Sequence, residues 1–215
     1  TMIVLMSAFL LLSAFSCGGG NKANSTSEQD EKTVVNVPQF DADSAYLYVK
    51  NQVDFGPRVP NTKEHVACGN YLAGQLEAFG AQVTNQYADL IAYDGTLLKA
   101  RNIIGSYKPE SKKRIALFAH WDTRPWADND PDEKNHNTPI LGANDGASGV
   151  GTLLEIARLV NQQQPELGID IILLDAEDYG APQFYTGQHK EEFWCLGSQY
   201  WARNPHVQGY NARFG

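Results

Sequence analysis

Residues 143–180 read ANDGASGVGTLLEIARLVNQQQPELGIDIILLDAEDYG, and two different periodicities inside this stretch decide the fold. Val150, Leu153, Leu154, Ala157 and Val160 recur at three- and four-residue spacing. That spacing puts them on one face of a helix, predicted over 147–162. Ile169–Leu174 is dense in Ile and Leu, and Ile115–Ala119 is a short continuous apolar run. Both are predicted as strands buried on both faces. Buried strands alternating with amphipathic helices define a three-layer α/β/α domain.

Upstream, Ser44–Val53 carries apolar residues at 45, 46, 49 and 53, a helical spacing, and FGPRVPNT at 55–62 breaks it. Thr62 can cap a second helix reaching Phe79, with Cys68, Leu72, Leu76 and Phe79 on one face and Gly80 as its stop. Residues 82–87 are predicted as a strand, and 91–104 as a hairpin turning at Asp94-Gly95. The hairpin makes the sheet mixed, mostly parallel. Downstream, Tyr200, Trp201 and Ala202 are placed on a helix opened by Ser198. No internal repeat is visible. In sheets of this kind ligands bind beyond the carboxyl ends of the strands, so the residues that follow each buried run matter most.

Composition bounds the function. The chain has 215 residues, 42% hydrophobic and 20% charged. Those values exclude a wholly disordered or collagen-like chain. There are 17 Lys and Arg against 25 Asp and Glu, a formal net charge of −8, and no basic run. That balance argues against nucleic acid as a partner. Three cysteines are too few for a disulfide scaffold. Cys68 and Cys195 either pair in an oxidising compartment or sit free, and spacing does not choose between them.

The two ends are read separately. Residues 2–16, MIVLMSAFLLLSAFS, are uncharged and short of the roughly 20 residues a membrane span needs. They lead into Ala14-Phe15-Ser16-Cys17 and three glycines. This resembles a bacterial lipoprotein signal over 1–17 with Cys17 lipidated; the alternative is a plain signal with an incidental cysteine. Residues 18–33 contain a single apolar residue, which predicts a flexible tether over 18–36. The expectation is an exported, membrane-anchored lipoprotein, periplasmic or in the outer membrane of a Gram-negative bacterium. The folded domain is expected over 37–215. It is expected to be incomplete at its C-terminus, because 210–215, YNARFG, carries no stop signal.

Three polar clusters follow apolar runs or glycine turns: His120-Trp121-Asp122, Asp145 within Gly142-Ala143-Asn144-Asp145-Gly146, and Asp175-Ala176-Glu177-Asp178. His nitrogen and carboxylate oxygen are zinc donors, and a catalytic zinc keeps one position open. Adjacent carboxylates can divide the work, one binding metal and the other moving protons. Taken singly, an Asp before a helix is also a cap, a Glu-Asp pair is also solvated loop, and a His after a strand is also structural. Together they point to a metal site.

As an ordered set these residues resemble the zinc-dependent metallopeptidase superfamily of bacterial aminopeptidases, and within it the bacterial glutaminyl cyclases. The carrying segments are FGPRVPNT (55–62), RNIIGSY (101–107), AHWDTRPWAD (119–128), ILGANDGASGVGTLLEIARLV (140–160), DIILLDAEDYG (170–180) and WCLGSQYWA (194–202). The resemblance implies one zinc per subunit held by Asp145 and Asp178, with Glu177 as acid/base. Asp178 stands where the family more often has Glu. The third ligand implied is a His beyond residue 215, so 1–215 alone is expected to be inactive. His120 binds a metal only if a second zinc is present, and Asp122 is expected to orient it. Trp126 and Trp194 either line the substrate pocket or fill the core. His65, His136 and His189 are expected to be surface or structural, as is His206, the one in-chain candidate for a substitute ligand.

The activity implied is conversion of N-terminal Gln of peptides or proteins to pyroglutamate with release of ammonia, by a monomer. One rival is a zinc aminopeptidase hydrolysing N-terminal residues on the same fold. A second is a binding ectodomain without catalysis.

Overall fold

The computed structural model describes residues 36–215. The signal segment 1–17, Cys17 and nearly all of the tether lie outside the described residues. Helix α1 spans Ala42–Val53 and is capped by Asp41, whose carboxylate accepts from the N–H groups of Asp43 and Ser44. Helix α2 spans Lys63–Ala78. The Thr62 hydroxyl caps it by accepting from His65 N–H, as the sequence predicts. Strands β1 (Gln82–Ile91) and β2 (Leu97–Tyr107) form the hairpin. Its turn falls at Asp94-Gly95, where Asp94 accepts from Thr96 N–H and Gly95 has φ +86. The strand expected over 82–87 and the first hairpin arm are one strand, because β1 pairs without a break from Gln82↔Ser106 to Ile91↔Leu97.

Strand β3 (Arg114–His120), helix α3 (Ser148–Gln162) and strand β4 (Gly168–Leu174) follow, then helix α4 (Leu196–Arg203). The strands lie in the order β1-β2-β4-β3. The sheet is mixed, as expected. Within these four strands β1–β2 and β2–β4 are antiparallel and only β3–β4 is parallel. The parallel majority foreseen is therefore not seen here, because the chain enters the sheet through a hairpin and only the β3-α3-β4 crossover returns a strand in the same direction.

One face of the sheet presents Ile103, Ile169, Ile171 and Leu173 to Tyr48 of α1, Leu72 and Leu76 of α2, and Leu153, Leu154 and Ala157 of α3. The opposite face presents Ile104, Ile172 and Leu174 to Trp201 of α4 and to Tyr210. Three layers result. Leu154 is fully buried, and burying such a side chain contributes about 1.5–3 kcal/mol. α4 starts two residues before the predicted Ser198. Its first N–H groups, on Cys195, Leu196 and Gly197, donate to the carbonyls of Glu177, Ala176 and Asp175 at 2.9, 2.9 and 3.0 Å. A tertiary contact, not a local cap, sets that helix start.

Candidate active site

Parallel pairing runs from Arg114↔Gly168 to His120↔Leu174, so β3 and β4 end side by side and the segments after them emerge together. His120 is the last residue of β3. Its Nε2 lies 3.0 Å from Asp145 Oδ1, and its Nδ1 lies 3.5 Å from Asp122 Oδ1 and 3.6 Å from Glu177 Oε2. The structure thus gathers His120, Asp122, Asp145 and Glu177 at the carboxyl end of the sheet, with Asp178 in the same segment as Glu177.

Asp145 is not a helix cap. The residue before α3 is Ala147, and no side-chain cap bond is made there. Asp145 lies in a turn, 143–147, with extended φ/ψ of −90°/112°, followed by Gly146 at φ +88. A Cβ on Gly146 would lie 2.9 Å from Asp122 O and 3.3 Å from His120 Cε1. Only glycine lets the turn approach β3 closely enough to hold Asp145 against His120. Arg58, from FGPRVPNT, braces the turn from behind. It is fully buried and donates to the carbonyls of Trp121, Leu141 and Gly142. Sequence reasoning assigned Arg58 no role; its only signal was an Arg set between two prolines.

Asp122 does more than face His120. Its buried carboxylate accepts from the backbone N–H of Glu177 through Oδ1 and of Asp178 through Oδ2, both at 3.1 Å. It therefore holds the carboxylate pair in place. Asp175, two residues before Glu177, is fully buried and accepts from His65 Nε2 at 3.0 and 2.9 Å, from Arg101 N–H at 2.6 Å and from Ala176 N–H at 2.7 Å. His65 is thus structural, its ring stacked on Trp121 at 4.3 Å. Its partner, 110 residues away, had no signal in the sequence. Between Asp175 and Glu177, Ala176 has φ +50, a left-handed conformation that costs an L-residue about 1–2 kcal/mol.

The electrostatics are those of an acidic cluster short of cations. Burial pushes the Asp178 carboxyl up to about 7, and the charges of Asp122, Glu177 and Asp145 add to the effect. For His120, burial alone would lower the pKa, but Asp122 foremost, then Glu177 and Asp145, lift it to about 9. Asp178 Oδ1 lies 3.7 Å from Arg124 Nη1, while its Oδ2 is buried without a hydrogen-bond partner. An orphaned carboxylate oxygen beside three other acids fits a cation, and oxygen donors from Asp145 and Asp178 suit zinc. Among the described residues no group of three His, Cys, Asp or Glu side chains is arranged to hold a metal ion.

Trp126 and Trp194 are half-buried and flank Arg124, whose guanidinium lies 5.6 and 4.8 Å from their rings. Both therefore stand beside the Asp178 segment and not in the main core. His136 and His189 bond to loop carbonyls of Asp130 and Tyr185. His206 is structural, as expected, and is not placed to act as a substitute ligand: it packs on Trp201, 4.0 Å from Asp170 near the amino end of β4, because the chain after α4 runs back along the sheet. Cys68 and Cys195 are both free, Cys68 inside the α2 core.

An α/β domain with this acidic cluster at its strand ends defines the class to which the comparisons then give a family. Residues 102–214 match peptidase family M28, and the chain belongs to that family. Over 84% of its length it is 94% identical to a chain solved as Bacteroides thetaiotaomicron glutaminyl cyclase bound to N-acetylhistamine, with TM-score 0.83 and 62% of that chain covered. It is equally 94% identical to a structure described as a leucine aminopeptidase precursor from Bacteroides thetaiotaomicron VPI-5482, covering 85% of this chain and 63% of that one at TM-score 0.84. Against a Zn-dependent exopeptidase from Parabacteroides distasonis ATCC 8503 it is 62% identical, covering 84% and 61% at TM-score 0.82. The chain thus spans 61–63% of the length of these solved proteins.

Proposed function

We propose that the protein is a zinc-dependent glutaminyl-peptide cyclotransferase, converting N-terminal Gln of peptides to pyroglutamate with release of ammonia. The observation that carries this reading is the 94% identity to a glutaminyl cyclase. The family match over residues 102–214 includes the cluster of His120, Asp145, Glu177 and Asp178. Asp145 and Asp178 would hold the zinc, with a His completing the set. When bound, zinc polarises the substrate's side-chain amide and stabilises the developing oxyanion.

The chain's own residues do the rest. Glu177, half-exposed beside His120, accepts a proton from the attacking α-amine and returns it to the leaving ammonia. Asp122 keeps Glu177 and Asp178 in register through their N–H groups. The surrounding acids attract the cationic N-terminus. Because amine and amide belong to one residue, the task of the site is mainly to hold the conformer in which the amine lies close to the carbonyl. Trp126 and Trp194 are proposed to border the bound peptide. The leader is proposed to anchor the protein to a membrane through Cys17, and incorporation of radiolabelled palmitate, lost in Cys17→Ser, would test this.

The test incubates the full-length protein with a Gln-initiated peptide and follows pyroglutamate and ammonia. Chelation should abolish turnover and zinc restore it. Glu177→Gln should lower kcat by about 10²–10⁴-fold. The aminopeptidase name on a relative of equal identity keeps a second reading, in which His120 holds a second zinc. Two zincs per chain with hydrolysis of Leu-peptides and no pyroglutamate would establish that reading and overturn the first.

A further inference from the structure

We infer that Cys195 is a positioning residue for the Glu177 carboxylate, a role that rests on Glu177 being the acid/base. Cys195 grips Glu177 twice. Its backbone N–H donates to the Glu177 carbonyl at 2.9 Å, and its Sγ–H donates to Glu177 Oε1 at 3.4 Å. The other oxygen, Oε2, faces His120 Nδ1 at 3.6 Å. One oxygen is thereby tethered and the other is left toward the cluster for proton transfer.

Four further observations show that this contact is built into the chain. Cys195 has φ +54, a conformation a β-carbon disfavours; strain of this sort persists where the surrounding structure over-determines it. Gly197, two residues on, cannot carry a β-carbon, which would collide with Asp175 O. The start of α4 is thus packed directly against the backbone of 175–177. Burial, then the Glu177 carboxylate, pushes the thiol up to about 11, so at neutral pH it keeps the proton it donates. The thiol is free, with no disulfide to explain it.

The experiment uses the full-length protein and four variants: Cys195→Ala, Cys195→Gly, Cys195→Ser and Glu177→Gln. Losing a weak donor to a charged acceptor should lower kcat roughly fivefold in the Ala variant, with KM within about twofold. The Gly variant should behave as Ala does while relieving the left-handed backbone, so its melting temperature should be at least that of the parent. Ser, which places a hydroxyl donor at the same oxygen, should recover most of the loss. The infrared S–H stretch of Cys195, identified by its absence in the Ser variant, should shift when Glu177 becomes Gln.

Parent-like kcat in both Ala and Gly, or a Ser variant as slow as Ala, overturns the proposal, as does an S–H band indifferent to Glu177→Gln. Activity retained by Glu177→Gln would instead overturn the acid/base reading. The infrared band reports the Cys195–Glu177 contact whichever way that falls.

Discussion

Arg124→Met removes one partner of a buried ion pair while keeping most of the side-chain stem. The Arg124 and Asp128 side chains are 9% and 1% exposed. They meet in a bidentate pair, Nε to Oδ1 at 2.7 Å and Nη2 to Oδ2 at 2.6 Å. The same guanidinium donates to the carbonyls of Asp178, Gly180 and Ala181 at 3.2, 3.3 and 3.4 Å. Leaving Asp128 buried without its cation should cost about 3–5 kcal/mol, a large part of the 5–15 kcal/mol by which a domain is usually stable. The pH dependence follows. Burial raises the Asp128 pKa, but the Arg124 hydrogen bonds and then the Gln183 N–H outweigh it, so the folded value lies below the usual one. That contribution is present above the unfolded value of about 3.9 and is lost as pH falls through the lower folded value. In the variant burial prevails, the folded value rises, and stability falls as pH climbs above about 4. The gap between parent and variant should therefore be widest at neutral pH and shrink toward about pH 4. Urea unfolding of parent, Arg124→Met, Asp128→Asn and the double variant measures it. The double variant should be more stable than the summed single losses imply. A neutral-pH loss under about 1 kcal/mol, or one that does not change on acidification, would refute the reasoning.

Gly142→Ala should destabilise by about 2–4 kcal/mol, since at φ +57 a Cβ meets Thr123 Cγ2 and the Asp145 carbonyl; a thermal melt indistinguishable from the parent's would contradict this. Leu154→Ala, at a fully buried position, should cost about 2–5 kcal/mol and leave zinc stoichiometry in the full-length protein unchanged. Asp178→Asn should weaken zinc binding by at least about tenfold, read by competition with a chelating dye; unaltered affinity would remove Asp178 from the proposed ligand set.

Helix α3 was legible because its signal is local: five apolar residues at helical spacing have nowhere to go but one face. β3 and β4 were legible as apolar runs, and Asp145 as an acid between glycines. α4 was misplaced by two residues because its start is held by carbonyls from the β4 end and not by a cap within its own sequence. Among the four described strands the antiparallel pairs outnumber the parallel one, because strand direction depends on which strands pair, and β2 pairs with β4 across the whole α3 crossover. In the sequence Asp122 pairs with His120, its neighbour two residues away. Its stronger bonds, to the Glu177 and Asp178 N–H groups, link positions 55 and 56 residues apart.

Local spacing carries the α/β class, most of the element order and the three polar clusters at the strand ends. Each of these is written in spacings of a few residues or in a glycine that only one backbone conformation explains. Tertiary pairing alone sets the hydrogen bond of His65 to the buried Asp175, the bracing of the Asp145 turn by Arg58, the place of His206 near the amino end of β4, and the contact of the Cys195 thiol with Glu177. Those partners are separated by 18 to 110 residues, and a hydrogen bond across such a gap leaves no periodic trace in either segment. It is made when the sheet register brings the two segments within 3 or 4 Å.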